Sequence, residues 1–328
     1  MAHALVLGAT GHIGSHIVRA LLAEGHQVRA AYRSDQFLSN LDGLPVERVR
    51  VELEQGTGLR EALDGCSWVF HAAGYYPRLR GRPQAAVERG VSSTRRILET
   101  IRQAKPARVV FTSSAATIQR VTVRASTERN AELWPLDGPR PLYTMVKVAM
   151  EQEVLQAVRG GLPAVIVNPS ICVGEYDVHR LSGLLVLAYA KYRVPITIHQ
   201  MLNAIYTGDV GIGHVRAAQR GRIGERYILS AWNLPLDEFA CLVTRAMGRR
   251  IAPVRLPHGL AMALAVGFEA VALLTFTQPL LSRRAVQTMG SIGRLDNTKA
   301  IQELGLPQTP IDEAIRRAIG WFRSAGLL

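Results

Sequence analysis

Residues 8–14 read Gly8-Ala9-Thr10-Gly11-His12-Ile13-Gly14, with an apolar tetrapeptide, Ala-Leu-Val-Leu, directly before them at 4–7. Few local structures accommodate three glycines at that spacing. The tetrapeptide reads as a buried strand, and 13–23 reads as a helix with Ile13, Ile17, Leu21 and Leu22 on one side. In a strand–loop–helix unit of this kind the glycines make a tight turn. They also let the backbone approach a pyrophosphate and pack the helix against the strand. The helix start then presents free N–H groups and a positive dipole end to the phosphates. A plain tight turn is the alternative, but the position at the opening of an alternating chain favours the phosphate cradle.

The pattern continues past the loop. Strands are predicted at 28–32, 46–51, 67–71, 108–112 and 164–167, and helices at 85–103 and 143–159. Several of these strands are β-branched and apolar throughout, as expected where helices cover both sheet faces. Strand–helix alternation calls for a parallel sheet with right-handed crossovers. With 328 residues and 48% apolar composition the chain buries a full core. The regular alternation fades after about Gly174, and 206–219 with 227–229 look like a return to the sheet. Residues 1–174 plus about 205–230 would then form the nucleotide-binding part. The stretches at about 175–204 plus 231–328 would form a smaller lobe.

Other residues carry chemistry. The second strand ends Tyr32-Arg33-Ser34, where an acid would hold the ribose hydroxyls of NAD. A guanidinium and a hydroxyl suit a 2′-phosphate instead, so NADP(H) is the expected cofactor. The alternative is that Arg33 stacks on the adenine or is solvated. Tyr143 and Lys147 stand four apart on a predicted helix and share a face. A free phenol has a pKa of about 10, and a nearby cation favours the phenolate. Phe111-Thr112-Ser113-Ser114-Ala115 ends a strand at the same edge as the glycine loop, placing hydroxyls to polarise a carbonyl. His71-Ala72-Ala73-Gly74 ends another, with small residues that let a cofactor near the backbone. Tyr75 and Tyr76 follow, in a basic loop that leaves the same edge, and either is a candidate for packing on substrate.

These motifs, in this order and with Gly-x-x-Gly-x-x-Gly spacing, resemble the extended short-chain dehydrogenase/reductase superfamily. The stretches FTSSAAT, VNPS and LPHGL are similar to its dihydroflavonol reductase and hopanoid-associated sugar epimerase-like group. The resemblance implies a Rossmann-type doubly wound parallel α/β sheet with a smaller, mostly helical substrate lobe. It implies catalysis by Ser114, Tyr143 and Lys147, with Ser113 and Thr112 as fallbacks for the serine. Glu52 and Leu53 match an acid–Leu pair that lies along the adenine, though the usual acid is Asp. Asn168-Pro169-Ser170, with Ile171, matches a segment that positions the nicotinamide. One departure stands out. Family members usually carry Asn in an N-V-x-G-T segment, and here Gly90 takes its place, which puts a proton-relay water in doubt.

The implied reaction interconverts a ketone or aldehyde and its alcohol, with Ser114, Tyr143 and Tyr75 facing the substrate. Alternatives are a nucleotide-sugar epimerase or dehydratase that retains NAD, a 3-hydroxysteroid-type dehydrogenase, and a non-catalytic dinucleotide sensor. The apolar segment 181–194 either lines a pocket for a bulky, apolar substrate or is an ordinary buried helix.

A net charge of +13 attracts anions or marks a basic solvated surface. No basic–aromatic stripe points to nucleic acid. Cys66, Cys172 and Cys241 are far apart, so neither a disulfide framework nor a metal site is expected. The start of the sequence has no charged leader pattern, and a cytoplasmic protein is expected. Segment 259–276 is apolar except for Glu269 and Thr275, and too short for an ordinary span. A buried or subunit-contacting helix is the first reading, peripheral membrane attachment the second and a true span the last. Helices 85–103 and 143–159 are the candidate surface of a homodimer.

Overall fold

The computed structural model describes residues 1–75, 82–119, 121, 124–133, 141–178, 183–192, 194–275 and 293–328. Residues 76–81, most of the basic loop after Tyr75, lie outside the described residues, as do Phe276, Arg283 and Arg284.

The first half alternates as its apolar runs require. It runs β1 (His3–Leu7), α1 (His12–Ala23), β2 (Gln27–Tyr32), β3 (Glu47–Arg50), α2 (Leu59–Leu63), β4 (Trp68–His71), α3 (Pro83–Ala104) and β5 (Arg108–Thr112). Then come α4 (Leu142–Arg159), β6 (Ala164–Pro169) and β7 (Ile171–Val173). The remainder holds α5 (Leu184–Lys191), β8 (Ile196–Ile198), β9 (Met201–Tyr206), α6 (Thr207–Arg220), β10 (Arg226–Leu229) and β11 (Trp232–Pro235). It closes with α7 (Leu236–Ala246), β12 (Val254–Leu256), α8 (His258–Thr275) and α9 (Ile311–Ser324).

Seven strands form one parallel sheet in the order β10-β6-β5-β4-β1-β2-β3. Strand side chains alternate between faces, and both faces are buried. Ala4 and Val6 of β1 join Val165 and Val167 of β6 in a core under α1 and α6. Leu5, Leu7, Ala164 and Ile166 join the opposite core, under α2, α3 and α4. The strand order reverses between β1 and β4, the crevice where doubly wound sheets take their ligands.

A third core holds the smaller lobe together. It is built from α5, α7 and α9 against the short sheet β11-β9-β7. Val186, Leu187, Tyr189 and Ala190 of α5 are buried in this core, so this part of the apolar segment 181–194 packs inside the lobe, while Leu184, Tyr192 and Val194 are exposed. β8 and β12 pair as a separate two-stranded ribbon beneath α8.

The chain beyond residue 293 returns to the large sheet. Ser126 and Leu295 bridge in parallel, with the Asp296 N–H donating to the Ser126 carbonyl at 2.9 Å. Ala300, Leu304 and Leu306 then enter the core under α1 and α6.

Candidate active site

All the candidate segments leave the carboxyl edge of the large sheet. The turn between β1 and α1 carries Gly8, Thr10, Gly11, His12, Ile13 and Gly14. Gly8 has φ +81°, and a Cβ there would lie 2.9 Å from backbone atoms of Ala73. The glycine loop and the Ala72-Ala73-Gly74 segment after β4 therefore touch backbone to backbone. A Cβ on Gly14 would come within 2.0 Å of the Gly8 carbonyl oxygen. Gly11 is the N-cap of α1 and supplies no side-chain cap, so the first-turn N–H groups face outward.

The His12 ring points elsewhere. Its Nε2 lies 2.8 Å from Thr207 Oγ1 at the start of α6, and its Nδ1 lies 3.9 Å from the buried Asp177. Burial holds its pKa down to about 3. What His12 offers a ligand is thus its backbone N–H. Asn40 was not legible as part of this loop. Its amide donates to the carbonyls of Thr10 and Tyr176 at 2.9 and 3.1 Å, clamping the turn from a segment 30 residues away.

Arg33 and Ser34 follow the carboxyl end of β2, both exposed. The Ser34 oxygen accepts from the Gln36 N–H, capping a short 3-10 turn. Glu52 lies beyond β3 and folds a tight loop, its carboxylate accepting from the Glu54 N–H and its N–H donating to the Thr57 carbonyl. Leu53 packs on the core under α3.

The three consecutive hydroxyls after β5 have different fates. Thr112 is buried, with Oγ1 2.9 Å from His214 Nε2. His214 Nδ1 lies 2.7 Å from the Val210 carbonyl oxygen and so carries the proton, which makes Thr112 the donor to Nε2. Ser113 is buried and donates to Glu151 at 2.5 Å. Ser114 is half-buried, and its oxygen accepts only the Ala116 N–H among the described residues. Its O–H remains the one of the three available at the edge.

Tyr143 and Lys147 lie on the first two turns of α4, with Tyr143 half-buried and Lys147 buried. The Lys147 ammonium lies 3.5 Å from the Thr112 carbonyl oxygen, which ties it to the same strand end as Ser114. Burial lowers its pKa to about 8, against a smaller upward pull from Glu151.

Glu151, one turn further along α4, is the residue that motif reading missed. Its carboxylate takes hydrogen bonds from Ser113, Thr117 and Asn168 and pairs with Arg226 at 2.5 Å. One buried carboxylate thereby fastens the helix of Tyr143 and Lys147 to β5, β6 and β10. The i, i+4, i+8 series Tyr143–Lys147–Glu151 was visible in the sequence, but its partners come from three distant strands.

His71, at the end of β4, is 2% exposed, and neither ring nitrogen has a hydrogen-bond partner among the described residues. It packs edge-on against Phe111 with ring centroids 5.2 Å apart. Burial, helped by the charge of Lys147, lowers its pKa to about 4. The Ser170 hydroxyl, between Pro169 of β6 and Ile171 of β7, is likewise buried without a partner.

Gly90 lies buried on α3 against α4. A Cβ there would lie 3.0 Å from Val146 Cγ1 and 3.5 Å from Tyr75 Cδ1. Val146 and the Tyr75 ring thus close on the position where the resemblance leads one to expect Asn. Tyr75 is partly buried against the core under α3.

The likeness to known proteins agrees with this geometry. The family model of the NAD dependent epimerase/dehydratase family matches residues 4–230. A protein of Synechocystis sp. that provisionally bears the name dihydroflavonol 4-reductase is 33% identical over 98% of this chain and 94% of its own length. Sterol demethylase protein B of Methylococcus capsulatus is 30% identical over 99% of both chains. A crystal structure of a nucleoside-diphosphate-sugar epimerase from Pseudomonas aeruginosa superposes with a TM-score of 0.80 at 27% identity, covering 100% of this chain and 99% of that one. With the glycine turn, the parallel sheet and the match over most of its length, the chain belongs to the NAD-dependent epimerase/dehydratase family of extended short-chain dehydrogenases/reductases.

Proposed function

We propose that the protein is an NADP(H)-dependent reductase that interconverts a ketone or aldehyde and its alcohol. The observation that carries the reading is the Lys147 ammonium at the Thr112 carbonyl, which ties the start of α4, with Tyr143, to the strand end that Ser114 follows. Arg33 at the tip of β2 supports the phosphate-bearing cofactor, because an exposed guanidinium there matches a 2′-phosphate.

The residues fit a dinucleotide. The glycine turn leaves no room for a Cβ at Gly8 or Gly14, and it aims uncapped N–H groups outward. The Ser170 hydroxyl is a buried polar atom still in need of a partner. A nicotinamide dinucleotide, when bound, supplies or takes up the hydride at the substrate carbon. Gly11, His12 and Ile13 would hold its phosphates by backbone N–H groups, Arg33 and Ser34 its 2′-phosphate. Ala72 to Gly74 and Pro169 to Ile171 would flank the remainder.

The chain's own part is acid–base work. Ser114 donates a hydrogen bond to the carbonyl oxygen, and Tyr143 gives that oxygen a proton during reduction or takes it back during oxidation. Lys147, with a pKa of about 8, is mostly protonated at neutral pH, and its charge favours the phenolate left behind. Glu151 fastens the helix of Tyr143 and Lys147 to the strand end that Ser114 follows.

The test is a calorimetric titration of nucleotide-stripped protein with NADPH and with NADH, repeated on Arg33→Asp. The expected result is tighter NADPH binding, lost in the variant while NADH binding is kept. Equal binding of both cofactors, or equal loss of both, overturns the NADP assignment. NAD that resists stripping would favour an epimerase of the retained-cofactor kind.

A further inference from the structure

Most of the exposed large apolar side chains among the described residues belong to α8 and to the segments of the β8–β12 ribbon. Leu260, Leu264, Val266 and Phe268 of α8 are between 38% and 49% exposed. Ile196 of β8 and Val254 of β12 are more exposed still, and they are direct partners in the parallel register of the ribbon beneath α8. Helix and ribbon are continuous, since Ala261 and Ala265 pack on Ile198 and Leu256.

The attachment of α8 is thin. At about 100° per residue, Ala261, Ala265 and Ala272 form one narrow stripe, and these three are its buried side chains among the described residues. Almost the whole remaining circumference is apolar. A monomeric protein in water rarely keeps a surface of this kind without a partner.

Charge says what the partner is. Lys191 ends α5 and leads through exposed Tyr192 and Val194 into β8, while exposed Arg250 leads into β12. Arg249 lies between, donating to the carbonyls of Tyr189 and Tyr192. By sequence, the stretches 184–199 and 248–271 hold a single acid, Glu269. The whole chain carries +13. A second copy would bring the same basic rim and the same net charge to this face, which opposes self-association. An anionic surface complements it. No helix among the described residues is long and apolar enough to cross a membrane. An apolar helix held by so narrow a stripe, on a basic chain and unable to span, suits the surface of an anionic bilayer.

We infer that the face formed by α8 and the β8–β12 ribbon seats the protein on an anionic lipid bilayer, with α8 lying in the headgroup region and Lys191 and Arg250 on the lipid phosphates. This inference is independent of the cofactor and of the reaction.

The experiment is flotation of the full chain with vesicles of phosphatidylcholine alone and of phosphatidylcholine mixed with phosphatidylglycerol, at low and high salt. Leu264→Asp, Phe268→Asp and Arg250→Glu are compared, each checked by circular dichroism and NADPH binding. The expected result is binding to the mixed vesicles that weakens with salt. Each apolar-to-Asp variant lowers the partition about tenfold, and Arg250→Glu lowers it about fivefold or more. The inference is overturned if the wild-type protein floats with neither vesicle. Equal binding to both vesicles, or binding untouched by these substitutions, overturns it as well. So does a dimer in sedimentation velocity that Leu264→Asp dissolves while the wild-type protein ignores lipid, since the occupant is then a second copy.

Discussion

Replacing His71 by Phe removes one buried imidazole while keeping a planar ring against Phe111. The consequence for acid stability follows from the pKa shift. In the folded chain burial holds His71 near 4, against an ordinary value of 6.5. Between those two values the unfolded chain binds a proton that the folded chain refuses. Stability therefore falls as pH falls through this window. Going from pH 7 to pH 5, the unfolded imidazole becomes almost fully protonated and the folded one stays almost neutral. The linkage integral for that change is about 2 kcal/mol. His12, His16 and His214 are shifted in the same direction, so the wild-type protein is acid-labile as a whole. The variant isolates one share. Urea unfolding followed by tryptophan fluorescence at pH 7 and pH 5 gives the stability lost on acidification. His71→Phe should lose about 2 kcal/mol less than wild type. At pH 7 the variant should be as stable or more so, since two unpartnered ring nitrogens leave the interior. A pH loss equal to wild type within about 0.5 kcal/mol would refute the neutral, buried state of this histidine.

Other expectations concern the site. Tyr143→Phe should remove turnover at least a thousandfold, an order-of-magnitude expectation for loss of a positioned proton donor (~10³), while calorimetry shows NADPH binding nearly unchanged. Glu151→Gln removes the buried charge that accepts from Ser113, Thr117 and Asn168 and pairs with Arg226, and should cost about 3 kcal/mol in urea unfolding together with a fall in kcat. Wild-type stability in that variant would remove Glu151 from its central place. Gly14→Ala drives a methyl into the Gly8 carbonyl and should weaken NADPH binding about a hundredfold or more, measured by titration. Gly90→Asn should displace Val146 and Tyr75 and lower stability by about 1–3 kcal/mol rather than restore a relay.

What could be read from the sequence was local in origin. The turn at Gly8 to Gly14 is dictated by backbone approach over seven residues, and the pairing of Tyr143 with Lys147 by the pitch of one helix. The large sheet followed from alternation with the right period. The division of labour among Thr112, Ser113 and Ser114 was not legible. It is decided by where each hydroxyl lands against His214 and Glu151, which arrive from α6 and α4. Glu151 itself looked like any helix-face acid, because its partners on β5, β6 and β10 meet only once the sheet is assembled. The short sheet β11-β9-β7 gave no periodic signal, its strands being three to six residues long. The apolar run of α5 was ambiguous for a related reason: a helix in a lobe's core and a helix lining a pocket have the same composition.

The return of the chain after residue 293 bears on how the molecule comes apart. Ala300, Leu304 and Leu306 complete the same packed layer that α1 and α6 build, and Leu295 sits beside Ser126. The nucleotide-binding half is therefore not a module that ends at residue 230, where the family pattern ends. Cut there, it would expose that layer to water and lose its last plug. Such a fragment should aggregate instead of folding, and grafting the smaller lobe of a relative onto this one would need the 293–306 strap to travel in the opposite direction from the helices around it. Melting should accordingly proceed in a single cooperative step, with tryptophans of both halves, Trp68 and Trp321, reporting one midpoint.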